Sequence, residues 1–230
     1  MKIFLFSFLL VTISLIACKE ETVKKKTGAE FLFVTPVIVD TTKTKQEKLS
    51  ETWVGTGDYA PLYIGKNKDS IFIQGIFYAI VNKTLDKYSV FEEARGKYKS
   101  PDSTDIKLII DTSKVILNQR YAVLVVNTTR DTLSIGYETH LPIILEALDK
   151  RGLWKPIEEK YVYFCGTGLG TLFLPPDEIV ITYAAVYTGE YRTKLRLRYG
   201  RVVSQTYTGS INLTQFESRW DENGNDKELR

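Results

Sequence analysis

Cys165 stands in "FCGTGLGTLFLPP", residues 164–176, directly before three glycines at alternate positions. A thiol at a glycine-rich turn is the setting of a cysteine nucleophile, and such a nucleophile needs a neighbouring base. The chain has one histidine, His140. It lies in "YETHLPI", just before a proline, where the start of a strand is expected to face water, so a structural role is favoured over a Cys–His pair. A phosphate cradle fares no better. It needs Gly-Lys-Ser/Thr running into a helix, whereas Gly170 is followed by Thr171-Leu172-Phe173 and then Pro175-Pro176. The glycines also miss the G-x-G-x-x-G spacing of a dinucleotide site. The stretch reads as a connection between a strand ending at Cys165 and one starting near Thr171, with the cysteine buried as a small hydrophobe.

A second chemistry-bearing run is "YRTKLRLRY", residues 191–199. A strand's period of two puts Tyr191, Thr193, Leu195, Leu197 and Tyr199 on one face and Arg192, Lys194, Arg196 and Arg198 on the other. Four like charges in a row repel unless acids lie opposite or an anion binds. Glu146, Asp149, Glu158 and Glu159 on neighbouring strands can supply the acids, each cross-strand pair contributing about 0.2–1 kcal/mol. That solvated, paired face is the favoured reading. Its rival is an anion-binding patch for lipopolysaccharide phosphates or an acidic glycan.

The 28 acidic residues also offer carboxylate pairs of the kind a glycan or peptidoglycan hydrolase uses. No G-x-S-x-G elbow, HExxH or paired Cys and His ligands occur, so neither a metal nor a cofactor is expected. "DENGNDKELR", residues 221–230, places carboxylates and amides alternately, but an EF-hand needs Gly at its sixth position and that position is Asp226. The 14 tyrosines and Trp53, Trp154 and Trp220 read as core and cross-strand filler rather than a sugar-stacking platform.

The elements that must position these groups are strands. "FLFVTPVIV", "DIKLIIDTS", "RYAVLVVN", "DTLSIGYE", "PIILEALD", "EIVITYAAVYTG" and "VVSQTYTGSIN" are mostly 5–10 residues long, apolar or alternating, with Gly, Asn, Asp or Pro between them. This is the pattern of an all-β sandwich or barrel, and no helical period follows residue 18. Hairpins are expected at Gly152 in "LDKRGLW", at Gly189-Glu190 in "YTGEYR" and at Gly65–Asp69 in "GKNKD". The predicted fold is an antiparallel immunoglobulin-like β-sandwich with an additional N-terminal β region.

The runs "NTTRDTLSIGY", "LPIILEALDKRGLWKPIE", "CGTGLGTLFLPPDE", "YTGEYRTKLRLRYG" and "TGSINLTQFE" resemble a group of uncharacterised bacterial lipoproteins with an Ig-like sandwich. The resemblance covers roughly Ile106 to Glu217 and implies the fold alone.

The N-terminus points the same way. Lys2 precedes an apolar run to Ile16, too short for the roughly 20 residues of a membrane span, and "CKEETVKKKTG" after it is polar throughout. The layout is that of a cleaved secretory signal. "LIAC", residues 15–18, resembles the lipobox of bacterial lipoproteins, which implies that Cys18 is acylated and becomes the first residue of the mature chain. Stable anchoring takes two or more acyl chains. Lys19-Glu20-Glu21 resembles a signal for export to the outer face of the outer membrane, favouring the cell surface over the periplasmic leaflet.

The expected organisation is therefore a signal peptide at 1–17, a flexible tether at 18–28, a β-sandwich region at 29–219 with its Ig-like core at about 106–217, and a disordered tail at 220–230. Removing residues 1–17 takes away one base, Lys2, and no acid, so 30 basic residues face 28 acidic ones. That balance argues against nucleic-acid binding, which shows a marked basic excess. With Cys18 lipidated, Cys165 has no partner in the chain. The functional expectation is a lipid-anchored outer-membrane protein acting as a non-catalytic binding or structural module. Its partners are the membrane, through the acyl chains, and an envelope glycan, lipopolysaccharide or another envelope protein. The alternative is the hydrolase with an Asp/Glu pair.

Overall fold

A computed structural model of the chain describes residues 34–42, 55–57, 59–75, 85–90, 98–137, 139–159 and 170–218. Cys18, Cys165, the tether and the tail from 220 lie outside them. The described residues belong to one compact unit. It is all-β: among the described residues the only helices are two short 3-10 turns, Asp86–Tyr88 and Leu213–Phe216.

The central sheet has four antiparallel strands in the order β3 (Tyr63–Lys66), β13 (Glu178–Ala185), β7 (Arg120–Asn127) and β6 (Ile106–Ile116). Val123, Leu124, Val125 and Val126 are all fully buried. The alternation explains how. Val123 and Val125 point into one core, and Ala122, Leu124 and Val126 into a second on the opposite face. On β13, Val180 and Ala184 face the first core while Ile179, Ile181 and Tyr183 face the second. A sheet covered on both sides needs continuous apolar strands, and that is what "AVLVV" and "IVITYAA" provide.

The first core is closed by a facing sheet of β10 (Trp154–Pro156), β9 (Ile143–Leu148) and β14 (Tyr191–Tyr199). The free edge of β14 pairs with β16 (Tyr207–Ile211) along its first half and with β15 (Val202–Val203) at its end. Leu145, Ala147, Leu195, Leu197 and Ile211 fill the interior from this side. A three-stranded sheet, β5 (Ser89–Val90), β12 (Thr171–Leu174) and β8 (Leu133–Tyr137), adds Leu133, Ile135, Leu172 and Leu174. The second core is capped by a parallel ribbon of β1 (Val37–Asp40) and β4 (Ser70–Ile73), through Ile38, Ile71 and Ile73. A short parallel pair, β2 (Gly55–Thr56) with β11 (Glu158–Glu159), completes the described strands.

Of the three expected hairpins, one forms. β9 and β10 are joined around Gly152, at φ 79°, and Asp149 fixes the turn by accepting from the Arg151 and Leu153 N–H groups at 2.9 Å. Gly65–Asp69 is instead a corner between two sheets, because β3 pairs with β13 while β4 pairs with β1. Gly189-Glu190 likewise carries the chain from the central sheet to the facing one. Its glycine is required by proximity: a Cβ there would overlap the Ile211 carbonyl. Glu190 accepts the Leu213 N–H at 2.9 Å and pins the crossing.

Candidate functional site

The four cations of β14 do not share one environment. Arg192 and Lys194 are exposed and lie opposite Ser210 and Thr208 of β16. Arg196 and Arg198 lie on the half of the strand that pairs with β9, where register places Glu146 directly across from Arg196. Glu146 is 5 % exposed, and each of its oxygens takes one guanidinium: Arg196 Nε donates to Oε2 at 2.8 Å and Arg198 Nε donates to Oε1. The Arg196 guanidinium also stacks on Trp154 of β10, 4.2 Å from the ring centre. Two cations therefore share one buried anion, and the group keeps a net positive charge.

The other three acids named from the sequence go elsewhere. Asp149 meets Lys155 and Arg151 at 3.3 and 3.5 Å and caps its hairpin. The Leu153 N–H, aided by the Arg151 N–H and Lys155, holds the Asp149 carboxyl below the usual carboxylate range. Glu159 meets Ser218. Glu158 turns inward. It is buried, accepting the Tyr59 hydroxyl and the Leu145 N–H on one oxygen and the Tyr187 hydroxyl, at 2.9 Å, on the other. Burial, reinforced by the Glu158 charge, pushes the Tyr59 hydroxyl well above its ordinary value, so it stays a donor. This is a structural knot: it ties the segment before β3 to the facing sheet through a satisfied buried carboxylate.

Beside Arg198 the structure opens into a cleft of about 470 Å³ at the end of β14. Tyr137, Pro142, Ile144 and Pro101 form apolar walls, Ser100 and Ser134 bring hydroxyls, and Arg198 supplies a fixed cation. The volume lies in the range of small-ligand sites. Among the described lining residues there is no Asp or Glu; Glu138, between Tyr137 and His140 in the chain, lies outside the described residues.

Local backbone chemistry builds this cleft. Tyr137 and His140 exchange both backbone hydrogen bonds, at 2.9 and 2.7 Å, closing a tight turn after β8. Gly136 permits that closure, since a Cβ at 136 would overlap the His140 carbonyl oxygen. Tyr199, at the end of β14, donates its buried hydroxyl to the Ile135 carbonyl at 2.8 Å and so holds β8 against β14. His140 corrects an expectation. It is buried rather than facing water, and burial lowers its pKa to about 4, so the imidazole is neutral at ordinary pH.

Sequence reasoning thus found Arg198 but not the residues around it. Gly136 inside an alternating strand was the available signal, because a strand glycine marks a close backbone approach. Among the described residues, no group of three or more His, Cys, Asp or Glu side chains converges to hold a metal ion. Comparison of the chain with protein-family models, with curated proteins and with solved structures finds no match in any of the three.

Proposed function

We propose that this chain is a lipid-anchored envelope protein, held at the outer membrane through acylated Cys18, whose β-sandwich binds an anionic envelope ligand without chemical turnover. The observation that carries the binding reading is the cleft beside Arg198. Its guanidinium is oriented by one bond, from Nε to Glu146, and the Nη donors remain for a ligand. The surplus positive charge of the Arg196–Glu146–Arg198 group complements a carboxylate or phosphate. The apolar and aromatic walls suit a compact body such as a sugar ring or a short acyl or peptide segment. A hydrolase acting by a carboxylate pair would want two carboxyls about 5–9 Å apart in its cleft; the described lining residues offer none.

The strand succession supports an immunoglobulin-like sandwich. β6 and β7 lie in the central sheet, β9 and β10 in the facing sheet, β13 returns to the central sheet, and β14 and β16 end in the facing one. Leaving out β8, β11 and β12, which pair in the smaller sheets, that order resembles strands A, B, C, C′, E, F and G of the immunoglobulin arrangement, with A-B-E and C′-C-F-G as neighbours. The edge beside E is taken by β3 from the N-terminal region. The acyl anchor rests on "LIAC" and the polar tether after it.

Capture from intact envelopes tests the reading, comparing the wild-type chain with Arg198→Gln, followed by titration with acidic and neutral envelope glycans. The expected result is binding of the acidic species only, weakened at least tenfold by R198Q and by salt. Equal capture by both proteins would refute the cleft assignment. Release of reducing ends, abolished by an Asp or Glu substitution, would establish the hydrolase instead.

A further inference from the structure

The parallel β1–β4 ribbon buries only one of its faces. Its register pairs Val37 with Ser70, Ile38 with Ile71, Val39 with Phe72 and Asp40 with Ile73. Ile38, Ile71 and Ile73 point into the second core, so Val37, Val39 and Phe72 form the outer face. Phe72 is 64 % exposed and Val37 61 %. Val34, also 61 % exposed, adjoins them, its carbonyl held by Asn67 Nδ2 at 2.8 Å. Parallel strands are normally covered on both faces, and a contiguous exposed apolar patch marks an interaction surface.

The surroundings point to a lipid surface. Lys68 and Lys66 are exposed on the corner between β3 and β4, and Lys114 lies along β1, donating to the Ile38 carbonyl at 3.3 Å. Among nearby acids, Asp69 is exposed on the same corner, Asp40 is occupied by the Leu117 and Thr42 N–H groups, and Glu178 is buried beside Lys66, so the three lysines outnumber the one exposed acid. An apolar face rimmed by lysines is the composition that binds anionic bilayers. Position agrees with composition. The chain enters the described fold at Val34, on this face, 16 positions after Cys18. Those 16 residues span at most about 55 Å when extended, and they carry Lys19, Lys24, Lys25 and Lys26 against Glu20, Glu21 and Glu30. An anchor at Cys18 would leave the ribbon within reach of the bilayer.

We propose that the outer face of the β1–β4 ribbon rests on the phospholipid surface of the membrane carrying the anchor, with Phe72 and Val37 entering the headgroup region. The inference uses the acyl anchor proposed above only to keep this face within reach.

The test uses the full chain in native membranes, with Cys165→Ser and a nitroxide attached at Phe72→Cys. A control label goes at Thr208→Cys on β16, which is exposed on the facing sheet. Collision with oxygen and with a polar nickel chelate is measured at each site. At residue 72 oxygen accessibility should exceed that of the chelate at least threefold, with the reverse at 208. Equal, water-like accessibility at both sites overturns the proposal. Strong spin–spin broadening at 72 also overturns it, since a second copy of the chain would then cover the face. Acylation is read separately from the mass of the N-terminal peptide. A lipid-exposed label on a chain without acyl groups upholds the ribbon contact and removes the anchor; an acylated chain with a water-exposed label does the opposite.

Discussion

Glu146→Ala is the most direct probe of how the two arginines are held. The substitution removes two charge-assisted hydrogen bonds, each worth about 1.5–3 kcal/mol when a charged group is involved. The full sum does not survive, because the Arg196 and Arg198 side chains are 23 % and 35 % exposed and can turn toward water. Glu146 also no longer has to be desolvated. Against this relief, two guanidinium groups two residues apart on one strand face lose the charge that separated them. The expected net loss is about 2–3 kcal/mol. For a chain of this size that lowers Tm by roughly 5–10 °C. Urea unfolding followed by tryptophan fluorescence measures it, and a double-mutant cycle with Arg196→Met should give a coupling of about 1–2 kcal/mol. Replacing Glu146, Arg196 and Arg198 together by Leu or Met should recover most of the loss, since a buried ion group is often no more stable than an apolar one. A loss under about 0.5 kcal/mol for E146A, with coupling near zero, would refute the claim that Glu146 organises this face.

Three further outcomes are expected. His140 has an ordinary pKa of 6.5 that burial lowers to about 4, so the unfolded chain takes up the proton first. Its contribution is complete above pH 6.5 and is lost as pH falls toward 4, by about 2 kcal/mol after allowing for partial solvent access; the stability gap between wild type and His140→Asn should follow that curve, and a flat gap would contradict it. Glu158→Ala strands two tyrosine hydroxyls and the Leu145 N–H and should cost about 4 kcal/mol in chemical unfolding, against about 1–2 for Tyr187→Phe. Gly189→Ala pushes a methyl into the Ile211 backbone and should cost well over 2 kcal/mol, whereas Gly152→Ala meets only open space and a positive φ and should cost about 1 kcal/mol.

Strand character, strand facing and the all-β class were legible in the sequence because they follow from local geometry. A period of two along Tyr191–Tyr199 separates the cations from the apolar residues whatever the strand packs against, and the long apolar runs on β7 and β13 can be satisfied only with both faces covered. The Asp149–Gly152 turn was legible too, since its hydrogen bonds close within five residues. Pairing was not. Gly65–Asp69 and Gly189-Glu190 have the composition of hairpins, yet each joins strands of different sheets, because partner choice is made by distant residues. Glu146, Asp149, Glu158 and Glu159 were equal candidates as partners for the cationic strand. Register and the inward turn of Glu158 separated them, leaving Glu146 alone between two arginines. His140 before a proline read as solvent-facing until Gly136 let its turn fold against β8. The lipobox reading of Cys18 belongs to the sequence alone. The cleft beside Arg198 belongs to the tertiary structure, because its walls come from β8 of the three-stranded sheet, β9 and β14 of the facing sheet, and the loops around Pro101 and Pro142, which are brought together only by folding.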